Sequence, residues 1–303
     1  MPPFNYFLIG DAAPTAGRAY QVDTKEYKTL RKNEGGAYWN FERVTFVLSL
    51  VVQLGVLIFS VATLFAGDPP PLLELILYLE TVVQLVEFVW YVALGVRWFL
   101  FKKEIKVVYR YIDWAVTTPI MLCTLYFLTL YFNDMAQRVK HPDMPCMSVA
   151  ELRAHDKFAL TIAGIVGADL AMLFFGAMVE GNLCGAVFRT VPTDTTETET
   201  PKVVPGWLKY PRIFLSLGFL PLVLAFLPHV VTASTNPSDE AVPMILVTFV
   251  LWALYGVVAV AAYGEQYAPW RNAFYNILDL LSKNLAGVVV SVVALGATCP
   301  AAL

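Results

Sequence analysis

The sequence predicts an all-α membrane protein of seven spanning helices, and three observations carry that expectation. Apolar residues make up 58% of the 303 positions and charged residues only 15%, a balance outside that of soluble domains. Seven stretches reach the roughly 20 mostly apolar residues that a hydrocarbon core about 30 Å thick requires of a helix: about 42–66, 71–99, 105–132, 157–179, 211–233, 241–263 and 271–297. Between them lie turn and helix-start signals, and nowhere do the alternating ten-residue strands of a membrane barrel occur.

The punctuation justifies the elements in order. Gly67-Asp68-Pro69-Pro70-Pro71 parts the first span from the second, Asn236-Pro237-Ser238 parts the fifth from the sixth, and Ala268-Pro269 opens the seventh with a proline at the helix start. Ahead of the bundle, residues 1–41 read as a polar N-terminal arm. The arm is no cleavable signal peptide, because Arg18, Lys25, Lys28, Arg31 and Lys32 follow only a short apolar opening. Residues 42–298 form the single spanning domain and 299–303 a short tail. The Thr-, Asp- and Glu-rich stretch 190–201 is a low-complexity loop.

Several function classes fall away. A net charge of -3 with no basic patch interleaved with aromatics gives nucleic acid no electrostatic handle. His141, His155 and His229 show no metal-ligand spacing and read as loop or helix-end residues at the surface, so no metal is expected. No phosphate loop or nucleophile elbow points to an enzyme. No internal repeat suggests an inverted-repeat transporter.

What the bilayer should reject is informative. An ionisable group at mid-membrane costs at least about 2.5–3.5 kcal/mol, yet the seventh span holds Asp279 and Lys283 and the third holds Arg110 and Asp113, with Thr117, Thr118 and Thr124 beyond. Arg110 to Asp113 is i,i+3, whereas Asp113 to Thr117 and Asp279 to Lys283 are i,i+4, so each helix turns one polar stripe inward. If the two stripes face each other, two cations meet two carboxylates in a neutral cluster. A lysine taken out of water is nucleophilic towards an aldehyde, and the protonated Schiff base that results needs a carboxylate counter-ion.

These residues carry a resemblance. Arg110-Tyr111-Ile112-Asp113-Trp114-Ala115-Val116-Thr117-Thr118-Pro119 resembles the third-helix signature of microbial rhodopsins, and Asp279-x3-Lys283 resembles their retinal-binding seventh helix. Gly167-Ala168-Asp169-x2-Met172 and Val250-Leu251-Trp252-Ala253-Leu254-Tyr255 agree on two further helices. The resemblance implies all-trans retinal bound covalently to Lys283, with Asp113 and Asp279 as counter-ions organised by Arg110. It also implies a pocket of Trp114, Thr117, Thr118, Met121, Met172, Trp252, Tyr255 and Ser282. Gly256 and Ala259 stand where pumps of the family usually carry a proline and an aromatic, which leaves space near the retinal ring.

Within that family the sequence favours a light-gated cation channel over a light-driven proton pump or a sensory receptor working through a separate partner. Thr124 occupies the place where outward proton pumps hold a reprotonating carboxylate, and a hydroxyl does not release its proton on a useful timescale. Arg271 stands where pumps often hold a release-group acid. Glu74, Glu80 and Glu87 lie in or beside the second span, and the seven residues from Glu80 to Glu87 amount to about 10.5 Å along one face. Carboxylates in a row line cation paths, and this row is similar to the second-helix glutamates of channelrhodopsins and cation-conducting viral rhodopsins. Glu74 reads as an interfacial residue. Lys283-Asn284 resembles the viral group, and Thr118 with Asp169 resembles a gating pair of channelrhodopsins. The expected ion pathway and gate are therefore Glu80, Glu87, Asn284 and Asp169. The expected partners are the lipid bilayer and cations or protons as transported species, in an arrangement compatible with a homo-oligomer.

Charge also predicts an orientation. Apart from Arg110 and Lys283, fifteen of the 21 Lys and Arg fall on the N-terminal side of the bundle and only Arg138, Lys140, Arg153 and Lys157 on the other. Positive loops stay cytoplasmic, so the N-terminus is expected inside, against the external N-terminus usual in the family. Cys146 and Cys299 fall on the opposite side, where a disulfide would persist.

Overall fold

A computed structural model describes residues 35–101, 105–141, 143–154, 157–180, 216–235, 238, 240–261 and 268–297. Seven long helical segments pack into a bundle: α1 (Gly35–Ala66), α2 (Pro71–Gly95), α3 (Arg110–Lys140), α5 (Phe158–Glu180), α6 (Phe219–Thr235), α7 (Ala241–Ala261), and α8 (Ala268–Asp279) continued by α9 (Leu285–Gly296). The short α4 (Val149–Ala154) lies between α3 and α5. Five segments are long and apolar enough to cross a membrane: Phe41–Ala66, Val107–Lys140, Phe158–Met178, Ala241–Ala261 and Trp270–Gly296. The glutamate-bearing α2 and the shorter α6 are not among the five. Residues 1–34, the loop 190–201, the tail 299–303, His155 and Cys299 lie outside the described residues.

Helix boundaries follow local chemistry. Pro71 occupies the first turn of α2, where its missing N–H is no loss. Ser238 Oγ accepts from the Ala241 amide at 3.2 Å and caps α7. The third helix runs eight residues past the apolar stretch that predicts it, because its polar end is buried and partnered: Asn133 Nδ2 donates to Thr232 O at 3.2 Å, and Arg138 pairs with Asp134 at 3.0 Å. Arg138 also donates to Cys146 Sγ at 2.8 Å, and Cys146 is disulfide-bonded. Two helices contain a π turn, Val96–Leu100 after α2 and Leu280–Asn284 between α8 and α9.

Burial is uneven around the bundle. The third helix is mostly buried, whereas α5 and α7 turn Leu170, Phe174, Leu246, Val250 and Val257 outward, as lipid-facing helices do. The main apolar core joins Leu72, Leu73, Ile76 and Leu77 of α2 to Leu122, Leu125 and Tyr126 of α3 and to Phe226 and Trp252.

Candidate functional site

Lys283 sits in the π turn of the last helix, 1% exposed, and the lysine gathers carboxylates. Its Nζ donates to Asp113 Oδ2 at 2.8 Å, with Asp279 Oδ1 at 3.7 Å and Glu87 Oε1 at 3.8 Å. Attraction falls as 1/r at equal screening, so Asp113 holds the ammonium about a third more strongly than either of the others. The neutral two-against-two cluster expected from spacing is corrected here. Glu87 of α2 is a third carboxyl beside Lys283 as well as a member of the predicted path. Two-helix spacing cannot reveal a group contributed by a third helix.

Arg110 closes the cluster on the N-terminal side. Its Nη1 donates to Asp279 Oδ2 at 3.1 Å and to Tyr91 Oη at 2.8 Å, and the Tyr91 hydroxyl donates to the same Asp279 oxygen at 2.6 Å. Nη2 donates to Asn276 Oδ1. Tyr255 donates to Asp279 Oδ1 at 2.7 Å and exchanges a hydrogen bond with Ser282 at 2.9 Å. Asp279 is thus held from both sides, while Asp113 Oδ1 has no hydrogen-bond partner.

A cavity starts at Lys283 and runs between α3, α5, α6 and α7. Trp114, Thr118, Met121, Met172, Trp252, Tyr255 and Ser282 line it. Thr117 does not; it is buried one turn beyond Asp113 and donates to the Asp113 carbonyl at 3.1 Å. Gly256 and Ala259 line the far end, but the space beside Gly256 is partly taken by Phe219, whose ring would lie 2.6 Å from an added Cβ. An apolar slot with a buried amine at one end fits a rod-shaped aldehyde anchored there as a Schiff base.

The remaining predicted residues are also placed. Thr118 Oγ1 donates to Asp169 Oδ2 at 2.7 Å and joins α3 to α5. Gln84 Nε2 bridges Glu80 Oε1 and the Lys283 carbonyl, both at 3.0 Å, and Gln53 Nε2 donates to Glu87 Oε1 at 3.0 Å. Asn284 Nδ2 donates to the Asp279 carbonyl at 3.4 Å. Glu74 is exposed. Among the described residues no group of three or more His, Cys, Asp or Glu could hold a metal ion. One histidine corrects the surface expectation: His141 is exposed, but His229 is fully buried, its Nε2–H donating to the Leu122 carbonyl at 2.9 Å while Nδ1 has no partner. His229 lies inside the fifth apolar stretch, and α6 runs on to Thr235 and buries the ring. Tyr91, Gln53, Gln84, Asn272 and Asn276 also belong to the network; none carries the charge that marks an intramembrane site in the sequence.

Bundle and site together define a class: a seven-helix membrane protein that carries a chromophore on a buried lysine. The chain belongs to the bacteriorhodopsin-like protein family, whose model matches residues 40–296. Members of this family bind retinal covalently through a lysine. The fold is similar to that of the viral rhodopsin OLPVRII, with a TM-score of 0.56 and 23% identity over 83% of this chain and 95% of that one. Blue light-absorbing proteorhodopsin from Med12 gives 0.56 and 18% over 84% and 98%. The light-driven proton pump of Coccomyxa subellipsoidea gives 0.55 and 15% over 83% and 96%. No curated protein matches the sequence.

Proposed function

We propose that the protein is a light-gated cation channel, with retinal on Lys283 and Asp113, Asp279 and Glu87 sharing the counter-ion role. One observation carries this reading. A seam of buried polar side chains follows α1, α2 and the α8–α9 segment from Glu42 to the Ser60–Ser291 pair, which meets at 3.1 Å. Eighteen residues of α1 separate its ends, about 27 Å of helix, close to the thickness of the hydrocarbon core. Oxygens of Gln53, Glu80, Gln84, Glu87, Asn284 and Asn272 along this seam have no hydrogen-bond partner. Buried carbonyl and carboxyl oxygens are what replace the hydration shell of a passing cation.

Retinal supplies the absorption of light and the change of shape that drives the cycle. The chain's residues do the rest: Asp113 stands nearest to accept the proton of Lys283, Arg110 and Tyr91 fix Asp279, and Gln84 ties α2 to the backbone of the lysine itself. Photocurrent against voltage tests the proposal. A current that reverses with voltage supports a channel; a current of fixed sign means a pump, and almost none a sensor. Glu87→Gln should cut the current or change its selectivity much more than Glu74→Gln, because only Glu87 lies in the seam. In the absorption band, Asp113→Asn should move the maximum further to the red than Glu87→Gln, since it removes the nearer negative charge.

The same reading places the N-terminus in the cytoplasm, supported by fifteen basic residues on its side against four on the other and by a disulfide-bonded Cys146 on the latter. Antibody access to an N-terminal tag on intact cells tests it, and labelling from outside would reverse the assignment.

A further inference from the structure

The buried lysine is met by α2 at both of its ends. Glu87 Oε1 stands 3.8 Å from Lys283 Nζ, and Gln84 Nε2 donates to the Lys283 carbonyl at 3.0 Å. The two residues are spaced i,i+3 and share one face of the helix. A counter-ion role accounts for the first contact, but neither that role nor conduction accounts for a bond to the lysine backbone.

The surroundings of Gln84 favour that bond. The same Nε2 donates to Glu80 Oε1 at 3.0 Å, so the amide spends its donors on two oxygens. Turned over, the amide would set its own oxygen against the Lys283 carbonyl, and Glu80 supplies the second acceptor that keeps it from turning. Gly287, one turn past Lys283, leaves the room: a Cβ there would lie 2.8 Å from Gln84 Nε2 and 2.9 Å from Val56 Cγ1. Glu80 is 1% exposed and Gln84 not at all, so bulk water does not compete for the carbonyl.

The position held in this way matters because the ammonium has close alternatives. Asp113 Oδ2 lies 2.8 Å from Nζ, and Asp279 and Glu87 follow at 3.7 and 3.8 Å. A small displacement of the lysine changes which carboxylate is nearest. We propose that Gln84 is a positioning residue: aimed by Glu80 and admitted by Gly287, it pins the Lys283 backbone so that Nζ rests on Asp113 rather than on Asp279 or Glu87. This role rests on retinal attachment to Lys283 and is independent of conduction.

Carbonyl NMR of the full-length protein reads the bond directly, with and without retinal. Lysine labelled with 13C at the carbonyl and asparagine labelled with 15N mark only the pairs Lys32-Asn33 and Lys283-Asn284, and Lys32→Arg tells the two signals apart. Gln84→Met keeps the length of the side chain and removes its donors, whereas Gly287→Ala keeps Gln84 and displaces its amide. Each should move the Lys283 carbonyl signal upfield, as loss of a hydrogen bond does. The double variant should move it no further than the larger single one, because both break the same bond. In the retinal-loaded protein each should also shift the absorption maximum to the red, as the lysine loses its place on Asp113. With Asp113→Asn already present, that added shift should fall to less than about half. A carbonyl signal unmoved by either substitution would overturn the contact. A signal that moves while the band stays, or a red shift undiminished by Asp113→Asn, would overturn the positioning role. If Gln84→Met forms no pigment, Gly287→Ala carries the optical test, and the retinal-free protein still reads the bond. A fixed-sign photocurrent would end the channel reading and leave this role standing.

Discussion

Two polar regions of the bundle are built from similar residue types and differ in almost everything else. Along α1, α2, α3 and α8, side chains bond from helix to helix: Asn272 holds Glu42, Asn276 holds Thr45, and Asn276 leads through Arg110 and Asp279 to Lys283, Glu87 and Gln53. In the apolar region His229 packs against Tyr126 and Phe226, Thr124 is buried on α3, and Thr124 Oγ1 and His229 Nδ1 have no hydrogen-bond partner. The first region is a connected chain and the second holds isolated groups in an apolar core. A buried polar group is stabilised by its neighbours or costs free energy alone, so substitutions of equal chemistry should give opposite results in the two places.

The largest expected effect is at the point where the connected region meets the cavity. Lys283→Ala removes the one amine in the pocket, and no visible band should form after retinal is added; a full-intensity pigment would refute the attachment. Next, Asp279→Ala takes the partner from buried Arg110 and should destabilise the protein by about 3–5 kcal/mol, read as a fall in the temperature of thermal bleaching. Thr124→Val, by contrast, deletes an unpartnered hydroxyl at constant shape and should be neutral or slightly stabilising. Equal losses from these two substitutions would erase the distinction between the regions.

An intermediate effect belongs to the far end of the cavity. Gly256→Ala drives a methyl against the Phe219 ring, a strain of about 1–3 kcal/mol, and should slow retinal uptake, measured as the rate at which the band appears. The smallest effect lies outside the membrane, at α4. Ser148 donates to Glu151 Oε2 through its amide at 2.6 Å and its hydroxyl at 2.9 Å, and Ser148 Oγ accepts from the Glu151 amide at 3.2 Å, a reciprocal helix cap. These bonds hold the Glu151 carboxyl below its usual range. Their contribution is therefore present at neutral pH and lost as pH falls through that lowered value. Acidification, or Ser148→Ala at neutral pH, should speed amide exchange in residues 151–154 and leave the visible band unchanged.

The bundle and the heart of the site were legible because they violate expectation strongly. Seven long apolar stretches allow few other folds, and Lys283, Asp113, Asp279 and Arg110 stand out where the bilayer penalises charge. Glu42 stands at the border of the first apolar stretch, and only the helix start upstream at Gly35 puts it inside α1. Asn272 and Asn276 are spaced i,i+4 one face ahead of Asp279, a signal that was present but weak for neutral amides. The placing of Glu87 against Lys283 could not be read at all, because it depends on how three helices meet.

The π turn at Leu280–Asn284 has a consequence for register. A π turn accommodates one residue more than an α turn, so α8 and α9 are one helix with a single-residue phase slip between its halves. Tightening that turn to α geometry would swivel α9 about 100° relative to α8, carrying Ser291 away from Ser60 while Asn272 and Asn276 stayed in place. The residue that anchors the chromophore thus sits on the swivel between the two ends of the seam, and deleting one of its neighbours in that turn would let the helix close as an α turn with both ends still in register.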